Sequence, residues 1–265
     1  MTRTTLGDPL FATEQATELT ARSMGQLISG TLGALTVPGA LTTAESAAVL
    51  RAVAQLPAQT YNPERVEGEI TRFGPALNDY RRPDGVDLTA YWQQADLARA
   101  RWTALELTTD PMVALLDRIG QAWGAPVAPA TISGRPVWGM TIREINRGSL
   151  VHYDEAVREI PGVLDQDIVG QLAVNAFAVT PSRGGETRLW RKRWQPSDQR
   201  FAQGYGYLDV VVFSRQQLTI TPQAGQLNLF CPSWYHQVQP VLAGRRVSLS
   251  CFLGYTLDGQ LVCWS

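Results

Sequence analysis

Gly244-Arg245-Arg246-Val247-Ser248-Leu249-Ser250-Cys251-Phe252-Leu253-Gly254 is the stretch on which the fold turns. Successive side chains of an extended chain leave opposite faces. Read as a strand, Val247, Leu249, Cys251 and Leu253 share one face and form ordinary core. Arg246, Ser248, Ser250 and Phe252 share the other. That second face carries a guanidinium and two hydroxyls, and a closed sheet turns it inward. An inward arginine needs an anion, because an unpaired buried charge is very costly. The planar fork of arginine takes a carboxylate through two hydrogen bonds.

Ten residues before Arg246 lies His236, in Cys231-Pro-Ser-Trp-Tyr-His-Gln-Val-Gln-Pro240, one of only two histidines in the chain. The other is in Val151-His152-Tyr153-Asp154-Glu155-Ala156. In an extended segment His152 and Asp154 point into one space and Tyr153 points away. Alone, a His-x-Asp tripeptide reads as a surface hydrogen-bonded pair. With His236 as the remaining imidazole it reads as a site of two histidines and one carboxylate. Such a triad leaves three positions of an octahedral ion open, which suits non-haem Fe(II) and its oxygen chemistry. A dicarboxylic co-substrate would chelate that metal at one end and meet Arg246 at the other.

Outward from this stretch the chain alternates with period two from about Pro136. Candidate strands run over 137–145, 171–179, 186–194, 207–213, 218–221, 226–230, 235–241, 246–253 and 261–264, separated by turn residues such as Asn146-Arg-Gly148. Many short strands with regular turns predict a β-sandwich or barrel. The first half reads as helices and loops. Residues 11–28 have helical composition. A second helix opens at Thr42 or Thr43, with Glu45 in its first turn and Val49, Leu50, Val53 and Leu56 on one face, and Pro57 stops it. Residues 57–90 read as loop. Tyr91–Leu107 reads as helix, with Trp92 and Trp102 for packing or a lid. Asp110 and Pro111 open a further helix with Val113, Leu116 and Ile119 inward, closed by Gly124. The expectation is one domain over 1–265: a helical buttress with loops over 1–135 and a β core over 136–265.

A length of 265 residues and a 45% apolar composition allow a sizeable core. A net charge of −1 gives no basic stripe for nucleic acid. No apolar run suggests a membrane span or a secretory leader. Three scattered cysteines form neither a disulfide framework nor a zinc spacing. These features predict a cytoplasmic protein acting on a small molecule, with no nucleic-acid or membrane partner. Oligomeric state is not legible.

Four segments in order resemble the Fe(II)/2-oxoglutarate-dependent oxygenases: Ile142-Arg-Glu-Ile-Asn-Arg-Gly148 through His152-Tyr-Asp154, Ser182-Arg-Gly-Gly-Glu-Thr-Arg-Leu-Trp190, Pro222-Gln-Ala-Gly-Gln-Leu-Asn-Leu-Phe230, and His236 followed by Arg246-Val-Ser248. The resemblance implies a double-stranded β-helix (jelly-roll) core in a mainly β, α+β chain with N-terminal helices. It implies Fe(II) at His152, Asp154 and His236, and 2-oxoglutarate held by Arg246 and Ser248. It also implies consumption of O2 with release of succinate and CO2 as a C–H bond is oxidised. Ile142-Arg-Glu-Ile145 and the closing Asp258-Gly-Gln-Leu-Val-Cys-Trp-Ser265 resemble a narrower group, which includes hydroxylases of N-substituted amino acids and carrier-independent halogenases. Those halogenases carry Gly or Ala where this chain has Asp154, so the resemblance implies oxygenation, not halogenation.

Several residues stay open. Asn175 shares a strand face with Ala173, Phe177 and Val179, and reads equally as a contact to 2-oxoglutarate or substrate and as a satisfied core amide. Arg143 shares a face with Thr141 and Ile145 and has candidate carboxylates nearby. Trp138, Trp190 and Phe252 read as pocket lining or aromatic core. Arg188, Arg191, Lys192 and Arg193 read as a solvated face. A peptidyl hydroxylase of the prolyl type and a non-enzymatic jelly-roll binder are the competing functions. The loops around 57–100 and 155–168 are expected to shape the substrate pocket.

Overall fold

The Val247–Thr256 strand lies at the middle of the larger sheet, so the deciding stretch is also the geometric centre of the fold. The structure is a computed structural model that describes residues 11–61 and 70–265. The stretch Met1–Pro9 and positions 62–69 of the expected 57–90 loop lie outside the described residues. Across the large sheet the order is Thr13–Gln15, Ala34–Val37, Leu227–Phe230, Ile168–Val179, Val247–Thr256, Thr141–Ile145, Ile70–Phe73 and Gln59–Thr60. Leu261–Trp264 pairs with the second half of the central strand, Phe252 opposite Trp264. The smaller sheet is Gln217–Ile220, Thr187–Arg193 and Trp234–Val238.

The two faces of the central strand do what alternation requires. Val247, Leu249, Cys251 and Leu253 are buried against Met24 and Leu27, Val49 and Ala52, and Leu115 and Ile119. Those residues come from helices α1 (Ala21–Ser29), α2 (Thr43–Gln55) and α4 (Pro111–Trp123), with α3 (Leu88–Thr103) preceding the last in the chain. Phe252, Ala173 and Phe230 on the inner face pack with Leu189, Leu218 and Ile220 of the smaller sheet. Two sheets closed face to face, with helices behind the larger one, make the jelly-roll core with its buttress.

The N-terminal half departs from the helices-and-loops reading. Thr13–Gln15, Ala34–Val37 and Ile70–Phe73 are strands that extend the large sheet. Ala34–Val37 is buried at every position, so it lacks the alternation that marks a half-exposed strand. In α4 the inward set is Met112, Leu115 and Ile119, and Val113 is exposed. Of the expected inward set Ile119 is buried and Leu116 packs partly buried against the core, so Val113 alone is misplaced, and the Asp110 cap and Pro111 are as read. Tyr207–Phe213 is not a strand beyond Tyr207; residues Asp209–Val212 form a 3-10 turn.

Helix α2 shows how the buttress is fastened. The Glu45 amide donates to Thr42 Oγ1, and Glu45 Oε2 accepts from the Thr42 amide at 2.8 Å, a reciprocal capping box. The Arg118 guanidinium of α4 donates to the other Glu45 oxygen. Burial raises the Glu45 carboxyl, but Arg118 and the Thr42 amide outweigh it and hold it below the usual range. Its stabilisation is therefore present above the ordinary glutamate value and is lost as pH falls through the folded-state value. Glu45→Ala is expected to cost about 2 kcal/mol in urea melts near neutral pH, a cap plus a partly screened ion pair. That penalty should shrink in acid; a pH-independent penalty would mean that the charge is not what matters.

Candidate metal centre

His152 and His236 are brought together by main chain, not by their rings. The His152 amide donates to the His236 carbonyl at 2.9 Å and the His236 amide donates back at 2.7 Å. This antiparallel bridge sets the two imidazoles with centroids 4.2 Å apart. The Asp154 amide donates to the Pro232 carbonyl at 2.9 Å, which turns the Asp154 carboxylate toward the same space. Its Oδ2 lies 3.4 Å from His236 Nε2 and 3.8 Å from His152 Nε2. One ligand atom from each of the three residues lies within 4.8 Å of the others.

Each imidazole is held by its far nitrogen. His152 Nδ1 is 2.8 Å from the Leu150 carbonyl, and His236 Nδ1 is 2.9 Å from the Trp234 carbonyl. A carbonyl only accepts, so both Nδ1 atoms carry the proton and both Nε2 lone pairs point at Asp154. Burial, and the neighbouring His236, push His152 down to about 4, so its ring is neutral at neutral pH. Burial raises the Asp154 carboxyl, but the surrounding groups, the Arg143 guanidinium among them, outweigh it and hold it below the usual range. Two lone pairs and a carboxylate converging on one point are complementary to a cation, with the carbonyls as orienting partners. The donor set fits Fe(II).

The same cavity holds Arg246, 1% exposed. Its Nε donates to the Gly185 carbonyl at 3.1 Å, Nη2 lies 3.5 Å from Thr187 Oγ1, and the guanidinium sits 4.9 Å over the Phe177 ring. Nη1 has no partner and no carboxylate is paired with Arg246 among the described residues. Burial, with Arg143 nearby, lowers it to about 10, which leaves it charged at neutral pH. A fully buried cation with an orphaned donor fits the distal carboxylate of 2-oxoglutarate. The Gly184-Gly185 pair makes this seat: both have positive φ, and a Cβ on Gly184 would sit 2.2 Å from the Pro240 carbonyl oxygen.

Asn175 and Ser250 also line the cavity, and the Ser250 hydroxyl donates to Asn175 Oδ1 at 3.0 Å. Ser248 stands one step back. Its hydroxyl is 3.0 Å from that of Ser250, and it is fully buried outside the lining. Val179 leaves the Asn175 face, because the strand register shifts between Phe177 and Val179. Phe252 lines the pocket, whereas Trp138 stacks edge-on with Phe73 in the helical core and Trp190 packs behind the small sheet with Tyr235. Lys192 pairs with Asp198 at 2.7 Å, and Arg193 covers the Trp234 ring. From the sequence Ser250 is placed only on the inward face, and Thr187 and the Gly185 carbonyl are given no role. The glycine pair before Thr187 was the available signal. Tyr61, Ile70, Asn78 and Glu159 complete the mouth, drawn from the two loops expected to shape it.

The family model for the carrier-protein-independent halogenase WelO5 matches residues 11–265. The chain belongs to this family. A hydroxylase of L-γ-glutamyl-L-propargylglycine from Streptantibioticus cattleyicolor is 41% identical over the full length of both chains. Leucinostatins biosynthesis cluster protein S of Purpureocillium lilacinum is 30% identical over half of this chain and 57% of its own. Among solved structures, an N-substituted L-amino acid dioxygenase from Burkholderia ambifaria has the same fold, with TM-score 0.63 over 93% of this chain and 92% of its own at 15% identity. The family accords with the narrower group, with carrier-independent halogenases among its members, that Ile142-Arg-Glu-Ile145 and Asp258–Ser265 resemble. Although it takes its name from a halogenase, this member carries Asp154.

Proposed function

We propose that this chain is an Fe(II)- and 2-oxoglutarate-dependent hydroxylase of a small amino-acid derivative, of the kind the 41%-identical relative is named for. The observation that carries this reading is one cavity holding a His-Asp-His cluster and a buried arginine whose Nη1 has no partner. His152, Asp154 and His236 hold the iron, Arg246 takes the distal carboxylate of 2-oxoglutarate, and Asn175 with Ser250 borders the co-substrate. Bound iron supplies activation of O2, coupled to oxidative decarboxylation of 2-oxoglutarate to succinate and CO2 and to oxidation of a substrate C–H bond. The protein fixes ligand orientation through the Leu150 and Trp234 carbonyls, and Phe230 and Phe252 keep water from the reacting centre. Asp154 would offer the metal a carboxylate in place of a halide. Among the described residues no helix is long and apolar enough to cross a membrane, and we place the reaction in the cytoplasm, where three free buried cysteines are stable.

The test is succinate release and product mass with Fe(II), 2-oxoglutarate and L-γ-glutamyl-L-propargylglycine or related γ-glutamyl and N-acyl amino acids, in concentrated chloride. The expected product gains one oxygen and no halogen. A chlorinated product would remove Asp154 from the metal, and no substrate-dependent succinate across these classes would sink the amino-acid reading.

A further inference from the structure

Among the described residues the inner face of the large sheet carries three arginines, and only one of them is paired with a carboxylate. Arg72 and Arg143 stand directly opposite each other on neighbouring strands. Arg72 is closed off by Asp79 at 2.9 Å. Arg246 is the second. Arg143, opposite Ser248 on the other side, lines the same cavity as Arg246 and the metal cluster. Its Nε is buried with no hydrogen-bond partner, and no ion pair to Arg143 exists among the described residues. The carboxylates that sequence would offer it are in use. Glu144 points to the opposite face and binds Arg245 through two contacts, at 2.9 and 2.7 Å. Glu159, at the mouth, accepts from the Glu155 amide and lies 3.7 Å from Arg81. Asp154 faces the two imidazoles.

We propose that Arg143 is the seat of a carboxylate carried by the organic substrate. This rests on the iron and 2-oxoglutarate reading of the site. In that reading a dication, Asp154, Arg246 and a dianionic co-substrate sum to no net charge. Arg143 then leaves one positive charge in a confined cavity, and an uncompensated charge there is costly. A substrate monoanion removes it and meets the guanidinium with a bidentate fit. The position suits selection. Arg246 is sealed at the base, while Arg143 is half-buried on the strand beside Ile70 and Ile145, which border the mouth. A substrate docked there by its carboxylate is held at a fixed reach from the metal ligands, so the arginine also fixes which carbon is presented.

The experiment uses protein loaded with Zn(II) in place of iron and saturated with 2-oxoglutarate, so that binding is read by calorimetry without turnover. The probes are L-γ-glutamyl-L-propargylglycine and its two monoamides, each with one carboxylate capped. In the native protein one monoamide is expected to bind about tenfold or more weaker than the diacid, the scale of a charge-assisted hydrogen bond. In Arg143→Gln that difference should vanish, with 2-oxoglutarate affinity nearly native. Should the Gln variant melt early, Arg143→Lys gives the same reading with a smaller loss, since a point charge replaces a planar fork. The proposal is overturned if both monoamides bind like the diacid, if no probe binds to protein that binds 2-oxoglutarate, or if the variant keeps the discrimination. It is equally overturned if a well-folded variant loses 2-oxoglutarate affinity instead, which would assign Arg143 to the co-substrate. Failure of the native protein to bind 2-oxoglutarate at all sinks the underlying iron reading, and is seen before any probe is added.

Discussion

Arg246→Leu is expected to weaken 2-oxoglutarate binding to metal-loaded protein at least a hundredfold, about 3–5 kcal/mol, while metal uptake stays near native. The reasoning follows from what Arg246 lacks. Its Nε and Nη2 are occupied by Gly185 and Thr187, but among the described residues Nη1 meets no acceptor and no carboxylate compensates the charge. In the ligand-free protein this buried charge is a liability, so removing it offsets the contacts to Gly185 and Thr187 lost with it, and the melting temperature should fall only modestly. With co-substrate present, the same change strands a carboxylate against the Phe177 ring. Calorimetry with 2-oxoglutarate, beside melts of the ligand-free protein, separates the two effects. Native-like co-substrate affinity would assign the orphaned donor to some other anion.

His236→Ala is expected to reduce Fe(II) affinity by more than about a hundredfold, beyond what loss of a merely orienting partner costs. The variant is a clean one because the His152–His236 pairing is made by amides and carbonyls, which alanine keeps. The Leu189 register on the other side of the strand is likewise main chain. Secondary structure should be native by circular dichroism, while anaerobic equilibrium dialysis finds little bound iron. One full equivalent of tightly held iron in this variant would dismantle the triad.

Much of this site was legible because alternation is a local rule. With two histidines in the chain, the faces of His152, Asp154, Asn175 and Arg246 followed from counting by two. Alternation does not report depth along a strand, however. Ser248 and Ser250 share a face, yet only Ser250 reaches the cavity. Nor does it report pairing between distant segments. Glu144 was an available partner for Arg143 until the turn at Gly244 brought Arg245 to it. The N-terminal strands escaped for a related reason. Ala34–Val37 is buried on both faces, Leu35 and Val37 in the helical core and Ala34 in the cluster with the smaller sheet, so it has no solvent-exposed face to display. Val113 in α4 shows the same limit, since Met112 and Val113 are both apolar and the tertiary contacts choose between them.

The main-chain bridge under the metal cluster has an evolutionary consequence. Because the pleat that presents positions 152, 154 and 236 is built from amides and carbonyls, the side chain at any of them is replaceable without rebuilding the scaffold. At position 154 a single codon change would exchange an anionic ligand for an open coordination position and leave the amide bond to Pro232 in place. Reaction type is thereby uncoupled from fold stability. A ligand change here asks nothing of the scaffold, in a family that is named for a halogenase and includes a chain with an aspartate at this position.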